Sequence, residues 1–387
     1  MKMPSFQVYN GGVKLFFGIN VIGNAEEFIK AYKRILLVTG RRSAKISGAL
    51  DDVTSILDKH GIEYTVYNDI VPNPIVENVE GIVKAYKEFG AEAIIAIGGG
   101  SIIDSAKVAR LVISGGGSVV DYLYGRKPYP EKLPFLLAIN LTHGTGTEID
   151  KYAVVSIVET KEKIGISAGY PNVSIDDPRY TRTLPRNQTI YTSIDAFAHS
   201  VESATSTRSS PYTWLLAEEA IKHIVKHLPR ALEKPDDLEA RYWLLYASMI
   251  AGISIDHGVT HIGHGLEHVF SGFNPKLPHG AGLAILYKAL LQFFYKLDPE
   301  VMARILKPLD PELKPRVEDA EKAQKAYNKF LEEIGFNESF STYGFSIEDV
   351  KEAVKFYYEN EKMKRYHGLA PKLPSREDLE KWLTSLI

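Results

Sequence analysis

Between His257 and His279 the chain places five of its eleven histidines, in the run His257-Gly-Val-Thr-His261-Ile-Gly-His264-Gly-Leu-Glu-His268 and then in Pro278-His279-Gly280. Upstream, Asp195-Ala-Phe-Ala-His199 sets a carboxylate and an imidazole four residues apart, on one face of the helix this stretch is expected to form. One carboxylate with several imidazoles is the donor set of a catalytic divalent transition metal. The chain has no cysteine, so His, Asp and Glu are its available ligands. The chemistry expected is that of a metalloenzyme.

Spacing alone is a weak guide, and the chain supplies a control. His223 and His227 are also four apart, but Ile221, Ile224, Val225 and Leu228 define the apolar side of their helix, so that pair reads as solvated. Asp195 and His199 instead stand among Ile194, Ala196, Phe197, Ala198 and Val201, which marks a buried helix. A buried aspartate needs a partner, which a metal or a plain imidazole hydrogen bond would supply. Glu202 falls near the same face and is placed to orient a ligand from behind. His264 and His268 share a face, while Gly263 and Gly265 allow close helix approach. His257 and His261 could extend that stripe. One catalytic metal with a position left for substrate does not use all of these groups, and the spacing does not choose between His264 and His268. His279, between a proline and a glycine, suits a ligand on a segment folding back over the metal.

A second constellation reads as nucleotide binding. Ala93-Ile-Ile-Ala-Ile97 runs into Gly98-Gly99-Gly100-Ser101-Ile-Ile-Asp104-Ser-Ala-Lys107, a strand opening through three glycines into a helix. Such a turn brings backbone N–H groups and a helix N-terminus to a phosphate. The loop Thr142-His-Gly-Thr145-Gly-Thr147-Glu148 follows another expected strand and offers hydroxyls and amides at the same sheet edge, as a dinucleotide requires. After the first strand the chain reads Gly40-Arg41-Arg42-Ser43. The acid that would bind ribose hydroxyls is absent there and cations are present, which favours NADP over NAD.

The elements that must position these groups form a βαβ series: strands at 35–39, 63–67, 93–97 and 135–139, with helices expected near 43–60, 76–89 and 101–114. This predicts an α/β dinucleotide-binding domain with a mostly parallel sheet over 1–184. After β-like stretches near 152–158 and 164–168, the turn-rich segment Asp177-Pro to Leu184-Pro185 leads to an all-α metal-binding domain over 185–387. With 45% hydrophobic and 24% charged residues and a formal charge of −2, neither a nucleic acid nor a membrane is an expected partner. A small molecule is. The N-terminus has no apolar signal core, so the expected location is cytoplasmic, and a homodimer is compatible with the sequence.

Taken together, these motifs resemble the iron-containing, or group III, alcohol dehydrogenases over nearly the whole chain, including Val71-Pro-Asn73-Pro74, the two glycine loops, Asp177-Pro178, Asp195 to His199, and His264, His268 and Pro278-His279-Gly280. The resemblance implies Asp195, His199, His264 and His279 as ligands of Fe(II), with zinc the alternative metal. It leaves His268 for proton relay and His257 and His261 for supporting roles. It extends the cofactor residues Gly40, Arg41, Ser43, Gly98, Gly99, Gly100, Ser101, Asp104, Thr142, Thr145 and Thr147 to Asn73, Thr181 and Lys163. Lys161 is an alternative to Lys163, because the stretch up to Pro171 is short. His143 stands where the family has a small residue. The implied reaction is hydride transfer between NADP(H), or NAD(H), and a primary alcohol or aldehyde in the cleft between domains. Competing readings are a zinc-dependent glycerol or polyol-phosphate dehydrogenase, a dehydroquinate-synthase-like lyase, and a metal-binding protein without catalysis.

Overall fold

The computed structural model describes residues 3–387. Among the described residues nine strands form: β1 (Phe6–Asn10), β2 (Val13–Phe17), β3 (Arg34–Thr39), β4 (Glu63–Tyr67), β5 (Ala93–Gly98), β6 (Phe135–Asn140), β7 (Tyr152–Ile157), β8 (Glu162–Ser167) and β9 (Val173–Asp176). Seven of them make one sheet in the order β1-β2-β9-β6-β5-β3-β4, and β7 and β8 pair separately as an antiparallel hairpin. All neighbours in the large sheet are parallel except β1 and β2. The mostly parallel α/β sheet expected from the sequence is therefore present.

The central strands read as unbroken apolar runs because both of their faces are covered. Leu36, Val38, Ile94, Ala96, Leu136 and Ala138 pack on the side of helices α2 (Val76–Phe89) and α3 (Gly100–Gly115). Ile35, Leu37, Ile95, Ile97, Leu137 and Ile139 pack on the other side with α1 (Ala49–Lys59). From β3 the chain steps outward to β4, then returns across to β5 and continues to β6 and β9. The direction of winding reverses between β3 and β5, and a ligand crevice lies at the carboxyl ends of strands at such a point. The loops after Thr39 and Gly98 flank it.

Three strands were not anticipated. β1 and β2 are joined through Gly11 and Gly12 with φ of 54° and 99°, the two positive values that a tight hairpin turn demands, and β9 has only four residues.

By internal contacts the chain divides into two compact units, one running to Leu184 with the addition of Pro235–Leu245, the other Pro185–Lys234 with Tyr246–Ile387. The added segment differs from a boundary drawn at 184 alone. Tyr242 anchors it, donating to the carbonyl of Pro4 at 2.8 Å and packing edge-on against Phe17.

The second unit is helical, built from α4 (Arg186–Thr205), α5 (Pro211–Glu233), the end of α6 (Leu238–Gly258), α7 (Ile262–Phe273), α8 (His279–Leu297) and shorter helices. α4 is buried almost without break from Thr189 to Thr205, as its all-round apolar character requires. His223 and His227 on α5 are buried, not solvated. Tyr246 of α6 meets the His223 ring at 90°, so a second helix covers the side that the apolar pattern of α5 leaves polar. No helix among the described residues is long and apolar enough to cross a membrane.

Candidate metal centre and nucleotide loops

The second unit gathers Asp195, His199, His264 and His279 around one oxygen. Asp195 Oδ1 lies 3.5 Å from His199 Nε2, 3.4 Å from His264 Nε2 and 3.5 Å from His279 Nε2. These separations are too long for good hydrogen bonds. Donors arranged tetrahedrally around an ion with bonds of about 2.1 Å stand about 3.4 Å apart, which is the spacing found. Asp195 Oδ1 and His264 Nε2 are buried and make no hydrogen bond. Two buried donors left open toward one point fit a divalent transition metal. Burial alone would raise the Asp195 carboxyl, but His199, His279 and His264 hold it well below the usual range. Burial pushes His199 down to about 4. His264 is raised to about 9 because Glu202 and Asp195 outweigh its burial.

Each later histidine is held from behind by a carboxylate. Glu202, fully buried, accepts at Oε1 from His264 Nδ1 at 2.8 Å, from the His264 backbone N–H at 3.1 Å and from the Tyr287 hydroxyl at 3.0 Å. Its Oε2 accepts from the His261 backbone N–H at 2.5 Å. Glu267 does the same for His279 Nδ1 through Oε2 and accepts from Ser271 through Oε1. A carboxylate on Nδ1 keeps the proton there and leaves the Nε2 lone pair for a metal. Burial opposes ionisation of Glu202, yet His264 and His261 bring it down to about 2. The role for Glu202 read from the sequence matches this geometry; Glu267 was overlooked. Its signal was in plain view, an acid inside an apolar helix beside a histidine.

Glycines make these approaches possible. A Cβ on Gly263 would lie 2.4 Å from Glu202 Oε1, and one on Gly282 would lie 3.0 Å from Glu267 Cγ. One on Gly280 would strike the Tyr191 carbonyl oxygen at 1.9 Å, so α8 can start at His279 only against α4. The remaining histidines separate cleanly. His268 is buried, with Nδ1 3.0 Å from the Tyr366 hydroxyl and its ring 5.7 Å from that of His279. His261 is buried with Nε2 3.0 Å from Thr205 Oγ1. His257 is exposed against Tyr212.

In the first unit the expected loops meet. A Cβ on Gly98 would lie 2.2 Å from Ile102, one on Gly99 2.6 Å from Thr142, and one on Gly100 2.6 Å from Thr145. The three glycines are therefore required by the second loop and by the opening turn of α3. Ser101 stands in that first turn, half-exposed. Lys163 on β8 donates to Asn73 Oδ1 at 3.0 Å, and Asn73 has a φ of 53°. Lys161 sits in an exposed turn instead. Gly40, Arg41, Arg42 and Ser43 follow β3, the last three exposed, and Arg41 pairs with Asp69 at 2.5 Å.

Other expected contacts serve the loops themselves. Thr147 Oγ1 donates to Asp104 Oδ1 at 2.6 Å, and Asp104 Oδ2 accepts from the Val154 N–H at 2.9 Å. Buried Lys107 donates to Thr147 Oγ1 at 2.8 Å, Asp150 O at 2.9 Å, Asp150 Oδ1 at 3.1 Å and Tyr152 O at 2.8 Å. Asp104 and Thr147 thus tie α3 to the second loop. The Thr181 hydroxyl is buried and donates to Pro178 O at 3.0 Å. His143 is buried within the second loop. Glu148 and Asp176 are buried near one another: burial, then mutual repulsion, raises Glu148 well above the usual range, and burial raises Asp176 to about 8.

Comparison with known proteins adds an independent line. Residues 12–178 match the family profile described as iron-containing alcohol dehydrogenase, and 189–387 match the C-terminal profile of the Fe-containing alcohol dehydrogenase family. The chain is 40% identical to a long-chain primary alcohol dehydrogenase of Thermoanaerobacter ethanolicus, over 88% of this chain and 87% of that one. It is 34% identical to NADH-dependent butanol dehydrogenase A of Clostridium acetobutylicum, over 76% and 77%. Among solved structures, a Thermotoga maritima NADH-dependent butanol dehydrogenase A superposes with a TM-score of 0.87 at 32% identity over 99% of both chains.

Proposed function

Because the chain belongs to the iron-containing alcohol dehydrogenase family, we propose that this alcohol and aldehyde oxidoreductase acts on primary alcohols with NADP(H) and holds Fe(II) on Asp195, His199, His264 and His279. The observation that carries the ligand set is the triad of imidazole Nε2 atoms at 3.4–3.5 Å around the unpartnered Asp195 Oδ1. When bound, the metal supplies Lewis acidity at the reacting oxygen.

The chain's own residues do the rest. Glu202 and Glu267 fix the tautomers of His264 and His279, so those ligands need no rearrangement on binding. The backbone N–H groups of Gly99, Gly100 and Ser101 at the start of α3 receive the pyrophosphate, with Thr142 and Thr145 beside them. Asn73 and Lys163, already joined, offer a fixed amide and ammonium to the nucleotide. Gly40 presents no carboxylate to a 2′-phosphate, and Arg41, Arg42 and Ser43 offer it cations and a hydroxyl, which supports NADP over NAD. His268 exchanges the proton of the alcohol oxygen, a task suited to imidazole near neutral pH. Position is the main contribution of these groups.

The test is a purified protein assayed for bound metal and for absorbance change at 340 nm on adding primary alcohols with NADP⁺ or NAD⁺. Metal at one equivalent per chain with kcat/KM higher for NADP⁺ is expected. No reduced nucleotide with any primary alcohol refutes the reaction, and a preference for NAD⁺ refutes the nucleotide.

A further inference from the structure

One construction recurs around α7 and α8. Gly263 admits Glu202, which takes His264 Nδ1; Gly282 admits Glu267, which takes His279 Nδ1. The third instance involves the histidine that is not among the proposed ligands. A Cβ on Gly265 would lie 2.8 Å from Tyr357 Cε2 and 2.9 Å from Tyr366 Cγ, so this glycine admits both tyrosines, and the Tyr366 hydroxyl stands 3.0 Å from His268 Nδ1. The ring of Tyr366 meets that of His268 edge-on at 88°. Behind it, Arg365 Nη2 donates to the Tyr366 oxygen at 3.0 Å, with the guanidinium carbon 4.7 Å over the same ring. Tyr366 is buried and Arg365 is exposed.

The orienting groups differ in chemistry. A carboxylate only accepts, so it pins a proton on Nδ1 and leaves Nε2 as a lone pair. A phenol both donates and accepts, so a proton can pass through it. A guanidinium can only donate, so the Tyr366 oxygen accepts from Arg365 and its own proton is available to His268 Nδ1. When that hydrogen bond is given to Nδ1, His268 carries its own proton on Nε2.

We propose that Tyr366 is the positioning residue for His268, fixing its tautomer and linking it to solvent beside Arg365. The inference rests on the proposed role of His268 in proton exchange. In aldehyde reduction a bound reduced nucleotide would supply the hydride to the carbonyl carbon, and His268 Nε2–H gives a proton to the oxygen. Tyr366 passes its proton to Nδ1, and the resulting phenolate, held by Arg365, takes one from water. Before the next turnover the Nδ1 proton leaves by the same route while Nε2 takes one from water, so His268 returns to the Nε2–H tautomer with one proton consumed overall. Alcohol oxidation runs the same transfers in reverse and releases one proton to water.

The test compares wild type, Tyr366→Phe, Arg365→Gln and His268→Ala as metal-loaded enzymes reducing butanal with NADPH. Tyr366→Phe keeps the ring and is expected to keep metal content and KM within about twofold. Its kcat should fall about tenfold, a fraction of what a full general acid contributes, and the solvent isotope effect should rise as proton transfer becomes limiting. Arg365→Gln, at the surface, should show a smaller fall of the same kind. In ¹⁵N-histidine spectra of the zinc-loaded protein, the His268 signals should move away from the pure Nε2–H tautomer in Tyr366→Phe. Wild-type kcat, isotope effect and tautomer in Tyr366→Phe overturn the proposal. If His268→Ala slows turnover while Tyr366→Phe does not, only this inference fails; if His268→Ala is also without effect, the role of His268 fails with it.

Discussion

Replacing Lys107 with methionine tests how the two nucleotide loops are held together. The ammonium is fully buried and satisfies four oxygens, from Thr147, the Asp150 carbonyl and carboxylate, and Tyr152. Methionine fills most of the volume but leaves those acceptors, including a buried carboxyl, without their donor. Removing one partner of a buried pair costs about 3–5 kcal/mol. For a unit of this size, at 2–4 °C per kcal/mol, the melting temperature of the first unit should fall by about 10 °C. The loss should depend on pH. Burial, against the pull of Lys107, already raises Asp150 to about 7, and without the ammonium it rises further. A carboxyl whose folded pKa lies above its unfolded value contributes stability below about pH 4 that is lost as pH climbs through the folded pKa. The variant should therefore lose more at pH 8 than at pH 5, where Asp150 can keep a proton. Scanning calorimetry at both pH values, with Lys107→Met/Asp150→Asn as the companion, measures this. The double variant should recover at least about 1 kcal/mol. A loss under about 1 kcal/mol for Lys107→Met at both pH values, or a double variant no more stable than the single, would show that this network does not anchor the loops.

The other predictions follow from single contacts. His264→Ala and His279→Ala should purify with little metal, whereas His268→Ala should keep it and lose turnover; metal analysis of the three separates ligand from non-ligand. Arg41→Ala should weaken NADP⁺ about 10–100-fold, the worth of one charge-assisted bond, and leave NAD⁺ unchanged; equal loss for both nucleotides counts against a 2′-phosphate contact. Asp69→Asn releases Arg41 from an exposed pair worth at most about 1 kcal/mol, so NADP⁺ affinity should rise by no more than about fivefold. Asp176, held near 8 by burial, costs stability progressively as pH rises from about 4 to 8. Asp176→Asn should thus stabilise the protein by about 3–5 kcal/mol at pH 9 and hardly at pH 4, seen as a flattened profile of unfolding midpoint against pH.

Local patterns made much of the structure legible. The strands at 35–39, 93–97 and 135–139 are buried on both faces, and such runs announce themselves in any sequence window. The glycines after β5 declare a close approach, although only the fold shows that the approaching groups are Thr142 and Thr145. What escaped has a common cause. β9 is too short to carry a period, and it joins the sheet through partners distant in sequence. The apolar side of their own helix points His223 and His227 to solvent, yet burial is decided by what packs on the other side, here Tyr246. Arg41 reads as a free cation until Asp69, from the loop just after β4, is brought against it. Asp104 and Thr147 lie in the expected motifs, but their oxygens are committed to each other and to Val154. A motif tells which residues gather; it does not tell which of their atoms remain available.

The pair His264 and His268 shows how far that limit reaches. Both lie on one face of α7, both are buried and both follow a glycine-rich approach, so nothing within the helix distinguishes them. The difference arrives from outside: Gly263 admits a carboxylate from α4, and Gly265 admits a phenol that is 98 positions from His268 in sequence. An imidazole backed by a carboxylate is a better electron donor and has its proton fixed, as a metal ligand requires. An imidazole backed by a phenol keeps an exchangeable proton at either end. Exchanging the backing groups should exchange the behaviour more readily than moving the histidines, because the helix supplies only the position and the group behind the ring supplies the chemistry.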